Sequence, residues 1–133
     1  NNYKVELDRA LSNEYKIENF FYWTIYIDYD DCILLENKIN HQIISFLFKA
    51  LNENKNIVLI TRHSGDLIES LNKYKISNLF DTIHHLKNNE KKSLFIDCKN
   101  SIFIDDSFKE RNDISKTHNI PVFSPNMIEV LLW

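Results

Sequence analysis

Residues 23–32 read Trp23-Thr24-Ile25-Tyr26-Ile27-Asp28-Tyr29-Asp30-Asp31-Cys32. A short run rich in Ile and aromatics, from Trp23 to Ile27, leads straight into a group of carboxylates. Such a run reads as a strand buried on both faces, which is the situation inside a parallel sheet. Three more runs have the same character: Ile57 to Ile60, Ile102 to Ile104 and Pro121 to Phe123. A weaker fifth strand is expected over Thr82 to Leu86.

Helical patterns separate these runs. Ile39, Ile43, Leu47 and Ala50 fall at i, i+4, i+8 and i+11 and form one apolar stripe. Leu67, Ile68 and Leu71 mark a second helix, with Ser64 as its expected N-cap. Leu94 and Phe95 sit in a short third one, and Phe108 to His118 is a largely polar surface helix. Ser124-Pro125 reads as a helix start, with Met127, Ile128, Leu131 and Leu132 turned inward. Strands alternating with helices predict an α/β fold, a five-stranded parallel sheet in a three-layer sandwich with right-handed crossovers. Residues 1–22 are expected to form an N-terminal helical extension, with a packing helix near Glu6 to Leu11, and residues 23–133 the core domain. Phe20, Phe21, Tyr22 and Trp23 read as core aromatics.

The 133 residues suit one domain. With 44% apolar and 26% charged residues and a net charge of -3, disorder is excluded as the main state. No stretch approaches the ~18 uncharged apolar residues of a membrane span. Sixteen basic against 19 acidic side chains give no excess positive charge for nucleic acid. Two cysteines, Cys32 and Cys98, are too few for a disulfide scaffold and suit a reducing, cytoplasmic setting. Gly65 is the sole glycine, which removes every glycine-rich phosphate loop. The start, Asn1-Asn2, has no signal-peptide pattern and suggests a piece of a longer polypeptide.

In open α/β sheets ligands sit beyond the carboxyl ends of the strands. The first run ends in Asp28, Asp30 and Asp31, the second in Thr61-Arg62, and that over residues 102–104 in Asp105-Asp106. Lys91 and Lys92 stand just ahead of that last strand. One Asp after a strand reads as a turn or cap residue. Several at one sheet edge repel unless a hard cation joins them. Mg²⁺ takes oxygen ligands at ~2.1 Å and commonly joins one or two carboxylates to a substrate phosphate. A carboxylate beside that phosphate can attack it, and a second, two residues on, can protonate the leaving oxygen.

Together these residues resemble the haloacid dehalogenase (HAD) superfamily of phosphohydrolases. That family shows a strand ending DxDx[TV], a second ending in Thr or Ser, a Lys before the fourth strand and an acidic pair after it. Here these are Asp28-Tyr29-Asp30-Asp31-Cys32, Thr61, Lys92 or Lys91, and Asp105-Asp106, over residues 23–133. The resemblance implies Asp28 as nucleophile and Mg²⁺ ligand, and Asp30 as general acid/base that also binds Mg²⁺ through its backbone carbonyl. It implies Thr61 as a hydrogen-bond donor to the phosphoryl group and Lys92 as the cation neutralising nucleophile and phosphate. Asp106 would be the acidic Mg²⁺ ligand, with Asp105 beside it as ligand or supporting group. Arg62 reads equally as a contact for an anionic substrate group or as a solvated side chain. Cys32 stands where the family has Thr or Val, which predicts a looser loop.

Neither the gap from Asp28 to Thr61 nor that from Thr61 to Lys92 has room for a folded cap. A capless, open site is therefore expected, closed by an adjacent domain, an oligomer neighbour or the substrate itself. The implied activity is Mg²⁺-dependent hydrolysis of a phosphorylated small molecule, with a sugar phosphate as one case. A second reading is a non-catalytic or regulatory HAD-like module of a larger, ATP-grasp-type polypeptide. A phosphoacceptor receiver is disfavoured by motif order, since here Thr follows the second strand and the acidic pair a later one. His84-His85 resembles a ligand pair, yet neighbours in a strand point to opposite faces, so one buried and one exposed His is expected. His63, just after Thr61, is within reach of substrate.

Overall fold

The structure, a computed structural model, describes residues 22–132. The expected packing helix near Glu6 to Leu11, with Phe20 and Phe21, lies outside the described residues. The elements run β1 (Thr24–Ile27), β2 (Leu34–Leu35), β3 (Lys38–Ile39), α1 (His41–Asn52), β4 (Asn56–Thr61), α2 (Leu67–Lys73) and β5 (Thr82–His85). There follow a 3-10 turn (Lys92–Phe95), β6 (Ser101–Ile104), α3 (Phe108–His118), β7 (Val122–Phe123) and a second 3-10 stretch (Pro125–Leu131). The main sheet has five parallel strands in the order β5-β4-β1-β6-β7.

Every residue of β1 and β6 is buried, as is β4 after Asn56. Alternate side chains feed two cores, one on each face of the sheet. Ile25, Ile27, Ile57, Leu59, Ile102 and Ile104 pack under α1, α2 and the Pro125–Leu131 stretch. Tyr26, Val58, Ile60 and Phe103 pack on the opposite face with Ile114 of α3 and Ile96. At about 1.5–3 kcal/mol per fully buried side chain, this burial is the main term holding the site's framework. No helix among the described residues is long and apolar enough to cross a membrane.

Side-chain caps set the helix starts. Asn40 Oδ1 accepts from Gln42 N at the head of α1. Asp66, not Ser64, caps α2 by accepting from Glu69 N. The Asp66-x-x-Glu69 spacing places a carboxylate at Ncap and another at N3, where free amides and the helix dipole favour both. Ser107 caps α3 in the same way, accepting from Glu110 N.

Several expectations are corrected. Trp23 lies outside β1 and is half exposed, although Tyr22 is buried. Ile39 belongs not to α1 but to an unforeseen hairpin, β2–β3, paired Leu34 to Ile39 and Leu35 to Lys38. Its two-residue turn, Glu36-Asn37, has φ of 50° and 63°, the left-handed pair that matches strand twist. Ile68 and Leu94 face solvent. Ser124 makes no side-chain cap bond, and the stretch after it is 3-10 rather than α. Met127, Ile128 and Leu131 are nonetheless buried, while Leu132 is half-buried. Neither His84 nor His85 is buried.

Candidate active site

β1 lies at the centre of the sheet, flanked by β4 and β6 in register, with Ile27 opposite both Leu59 and Ile104. The three strands therefore end close to one level, and their next residues meet. Asp28 N donates to Ile104 O at 3.0 Å, and Asp105 N to Phe123 O at 3.1 Å, so both carboxylates leave from backbone fixed by the sheet.

The carboxylates of Asp28, Asp105 and Asp106 each offer an oxygen within 4.8 Å of the others. Asp28 and Asp105 are buried and Asp106 is exposed. The 3-10 turn delivers Lys92 into this group, with Nζ 3.2 Å from Asp28 Oδ1 and 2.7 Å from Asp105 Oδ2. Lys92 is only 3% exposed, whereas Lys91 faces solvent. Asp105 Oδ1 also accepts from Ser107 N at 2.9 Å, and Arg111 donates to the Asp105 carbonyl at 2.7 Å.

One buried ammonium does not balance three carboxylates. Burial, with the Asp28 charge adding to it, pushes Asp105 up to about 6. Burial and the neighbouring Asp105 do the same to Asp106, also to about 6. Asp28 is raised by burial too, with Lys92 opposing. For Lys92, burial acts to lower the value, but attraction to Asp28 and Asp105 prevails and holds it above the ordinary lysine range. Three oxygen donors carrying surplus negative charge suit a hard divalent cation such as Mg²⁺.

Thr61 ends β4, fully buried, and its Oγ1 accepts from His63 N at 3.0 Å. That leaves the hydroxyl proton available for an oxygen in the cleft. The Asp30 carboxylate stands outside the acidic cluster; its oxygens lie 3.0 and 2.8 Å from His63 Nδ1. Arg62 Nε pairs with Glu110 at 3.1 Å, and its Nη1 donates to the Lys87 carbonyl. Glu110 in turn lies 3.7 Å from Lys92 Nζ, linking α3 to the centre. Cys32 is fully buried, and burial pushes its thiol well up, which disfavours it as a nucleophile.

The loop after Asp28 is tightly held despite that cysteine. Amides of Cys32, Ile33 and Leu34 converge on the Tyr29 carbonyl at 3.3, 2.9 and 3.1 Å. Asn40 Nδ2 donates to the Cys32 carbonyl, so one side chain caps α1 and braces the loop. Of the other histidines, His84 packs its ring on Phe95, and His118 Nε2 donates to the Ser93 carbonyl.

All of this opens into a cleft of about 880 Å³ whose outer walls are Asn88, Asn89, Lys109, Asn112, Asp113 and Lys116. Every residue lining it is polar or charged. The gap from Asp28 to Thr61 holds the β2–β3 hairpin and α1, and that from Thr61 to Lys92 holds α2 and β5. No separate cap covers the cleft among the described residues.

No family model matches the sequence, and no curated protein matches it significantly. Among solved structures, an uncharacterized protein from Corynebacterium glutamicum ATCC 13032 Kitasato is similar, with a TM-score of 0.57 at 10% identity. The match covers 77% of this chain and 82% of that one. The N-terminal part of the protein BF1531 from Bacteroides fragilis, containing a phosphatase domain and complexed with Mg, gives a TM-score of 0.55 at 15% identity. That match covers 96% of this chain and 41% of the other, so the present sequence spans less than half of it. The likeness shows the fold, a Rossmann-like α/β sandwich with a five-stranded parallel sheet.

Sequence reasoning missed His63 as the partner of Asp30, and the roles of Glu110, Arg111 and Asn40. The Ser107-x-x-Glu110 capping signature was there to be read. The His63–Asp30 contact joins residues 33 apart, and no local pattern announces it.

Proposed function

We propose that this chain is a Mg²⁺-dependent phosphatase that hydrolyses a phosphomonoester through an aspartyl-phosphate on Asp28. The observation that carries the reading is the meeting of Asp28, Asp105 and Asp106 around buried Lys92 at the carboxyl ends of β1 and β6.

Asp28, Asp105 and Asp106 are the side chains that would hold Mg²⁺, with the Asp30 carbonyl as a further ligand. When bound, the ion supplies positive charge to the carboxylates and to phosphoryl oxygens. In the first step an Asp28 carboxylate oxygen attacks phosphorus and the bond to the leaving oxygen breaks. The Asp30 carboxyl proton passes to that oxygen, giving the alcohol and an aspartyl-phosphate. In the second, water attacks phosphorus and gives its proton to the Asp30 carboxylate. The bond to Asp28 breaks, and inorganic phosphate leaves. Lys92 Nζ stabilises charge on Asp28 and the phosphoryl group, and Thr61 Oγ1 donates to a phosphoryl oxygen.

The substrate is a phosphorylated, hydroxyl-rich small molecule, with a sugar phosphate as the natural case. Support comes from walls whose side chains all carry amide, hydroxyl or charged groups. An adjacent domain or a second copy would close the open cleft. The test is phosphate release from a panel of phosphomonoesters with Mg²⁺, with EDTA, and with Asp28→Asn. Mg²⁺-dependent release lost in the variant is expected. No turnover of any substrate, or equal turnover by the variant, overturns the reading.

A further inference from the structure

We infer that His63 is the positioning residue for Asp30, fixing its carboxylate toward the leaving-group side of the cleft. This rests on the phosphatase reading above.

The Asp30 backbone is held by an isolated bridge to Leu34, but its carboxylate is not. Asp30 follows β1 by three residues, its side chain is 48% exposed, and its carboxylate has no hydrogen-bond partner besides His63 among the described residues. A half-exposed carboxylate on a loop samples several rotamers, and each misplacement reduces proton transfer, which needs a distance of about 2.6–3.2 Å. His63 supplies the missing constraint. Its ring is only 16% exposed, and Nδ1 reaches both carboxylate oxygens. An ionised carboxylate only accepts, so toward that form Nδ1 carries the hydrogen.

The histidine is itself fixed on three sides. Its backbone N–H bonds Thr61 Oγ1, and its carbonyl accepts from His85 Nε2 at 2.7 Å. Its ring meets Tyr29 edge-on at 5.3 Å. Tyr29 is fully buried and anchored by a 2.7 Å hydroxyl contact with Ser70. The restraint thus passes from α2 and β5 through His63 to Asp30. The same segment orients Thr61, which couples the phosphoryl contact to the group that serves the leaving oxygen.

The experiment compares an alkyl phosphate, whose leaving oxygen needs a proton, with p-nitrophenyl phosphate, whose leaving group departs without one. His63→Ala is expected to lower kcat on the alkyl ester about tenfold or more, a fraction of what general acid catalysis contributes. On the aryl ester, single-turnover release of p-nitrophenol, which reports the first step alone, should be nearly unchanged, and that retained release shows the variant is folded. His63→Asn, whose amide nitrogen takes the place of Nδ1, should recover most of the alkyl activity. Adding His63→Ala to Asp30→Asn should cost little more than Asp30→Asn alone. A wild type inert on both esters overturns the phosphatase reading and this inference with it. An active wild type whose His63→Ala variant loses single-turnover release of p-nitrophenol as much as alkyl turnover, or loses neither, overturns this inference alone.

Discussion

Metal-free protein should lose stability as the pH is raised, and Mg²⁺ should return it. Asp105 titrates near 6 in the folded chain against 3.8 for a free side chain. Between those values the folded protein holds a proton that the unfolded chain has released. Unfolding free energy therefore falls as the pH climbs from about 4 to 6 and levels off above that. A shift of about two units, at 1.36 kcal/mol each, is about 3 kcal/mol at this buried site. Asp28, also raised, acts in the same direction. Asp106 adds less than its shift suggests, because solvent screens an exposed carboxylate. Lys92, held above its usual range, stays charged throughout.

A cation on the ionised carboxylates reverses the loss. At about a hundredfold excess over its Kd, Mg²⁺ adds about 2.7 kcal/mol. For a domain of this size that is a rise in Tm of about 10 °C. The assay is thermal unfolding followed by circular dichroism, with EDTA or Mg²⁺, near pH 4.5 and near pH 7.5. A large Mg²⁺ shift at the higher pH and little at the lower is expected, since protons compete for the same oxygens. Shifts of equal size at both refute the reasoning.

Asp28→Asn should lower phosphate release by on the order of 10³-fold or more while raising the Tm of metal-free protein near neutral pH, because one buried charge is gone. Lys92→Met should cost about 3 kcal/mol in urea unfolding without metal, since two buried carboxylates lose their counter-charge; an unchanged midpoint would show that the ammonium does not hold them. Asn40→Ala removes both the α1 cap and the brace on Cys32, so about 1–2 kcal/mol is expected, together with a fall in kcat from a loosened Asp28–Leu34 loop; equal kcat in variant and wild type argues against that link. Phe103→Ala, in the core beneath α3, should cost about 3–5 kcal/mol in the same unfolding assay.

The sheet was legible because its strands are short, apolar and closed by polar groups. The runs around Ile25, Leu59 and Phe103 are buried on both faces, as are Val122 and Phe123 of β7. Acidic residues after such runs gave the candidate site, since strand ends are where an α/β sheet places its ligands. Elements set by a few residues escaped. The β2–β3 strands have two residues each, and their Glu36-Asn37 turn lacks the usual glycine. Ser64 competed with Asp66 as a cap, and only the reach of Asp66 to the Glu69 amide decides between them. The exposure of Leu94 follows from a one-turn 3-10 segment too brief to bury two faces. Contacts between distant residues, His63 with Asp30 and Glu110 with Arg62, arise only once the sheet brings their loops together.

The in-register packing of β1 between β4 and β6 has a consequence for how this site moves. Amides of residues 25–27, 57–60 and 102–104 should be the slowest to exchange with deuterium, opening only when the whole chain unfolds. Asp28 and Asp105 hang from that slow unit. The outer walls, Asn88 with Asn89 and the outward stripe of α3, belong to parts that open locally. Divergent copies of this fold can therefore reshape what the cleft admits without disturbing the carboxylates and the lysine at the strand ends.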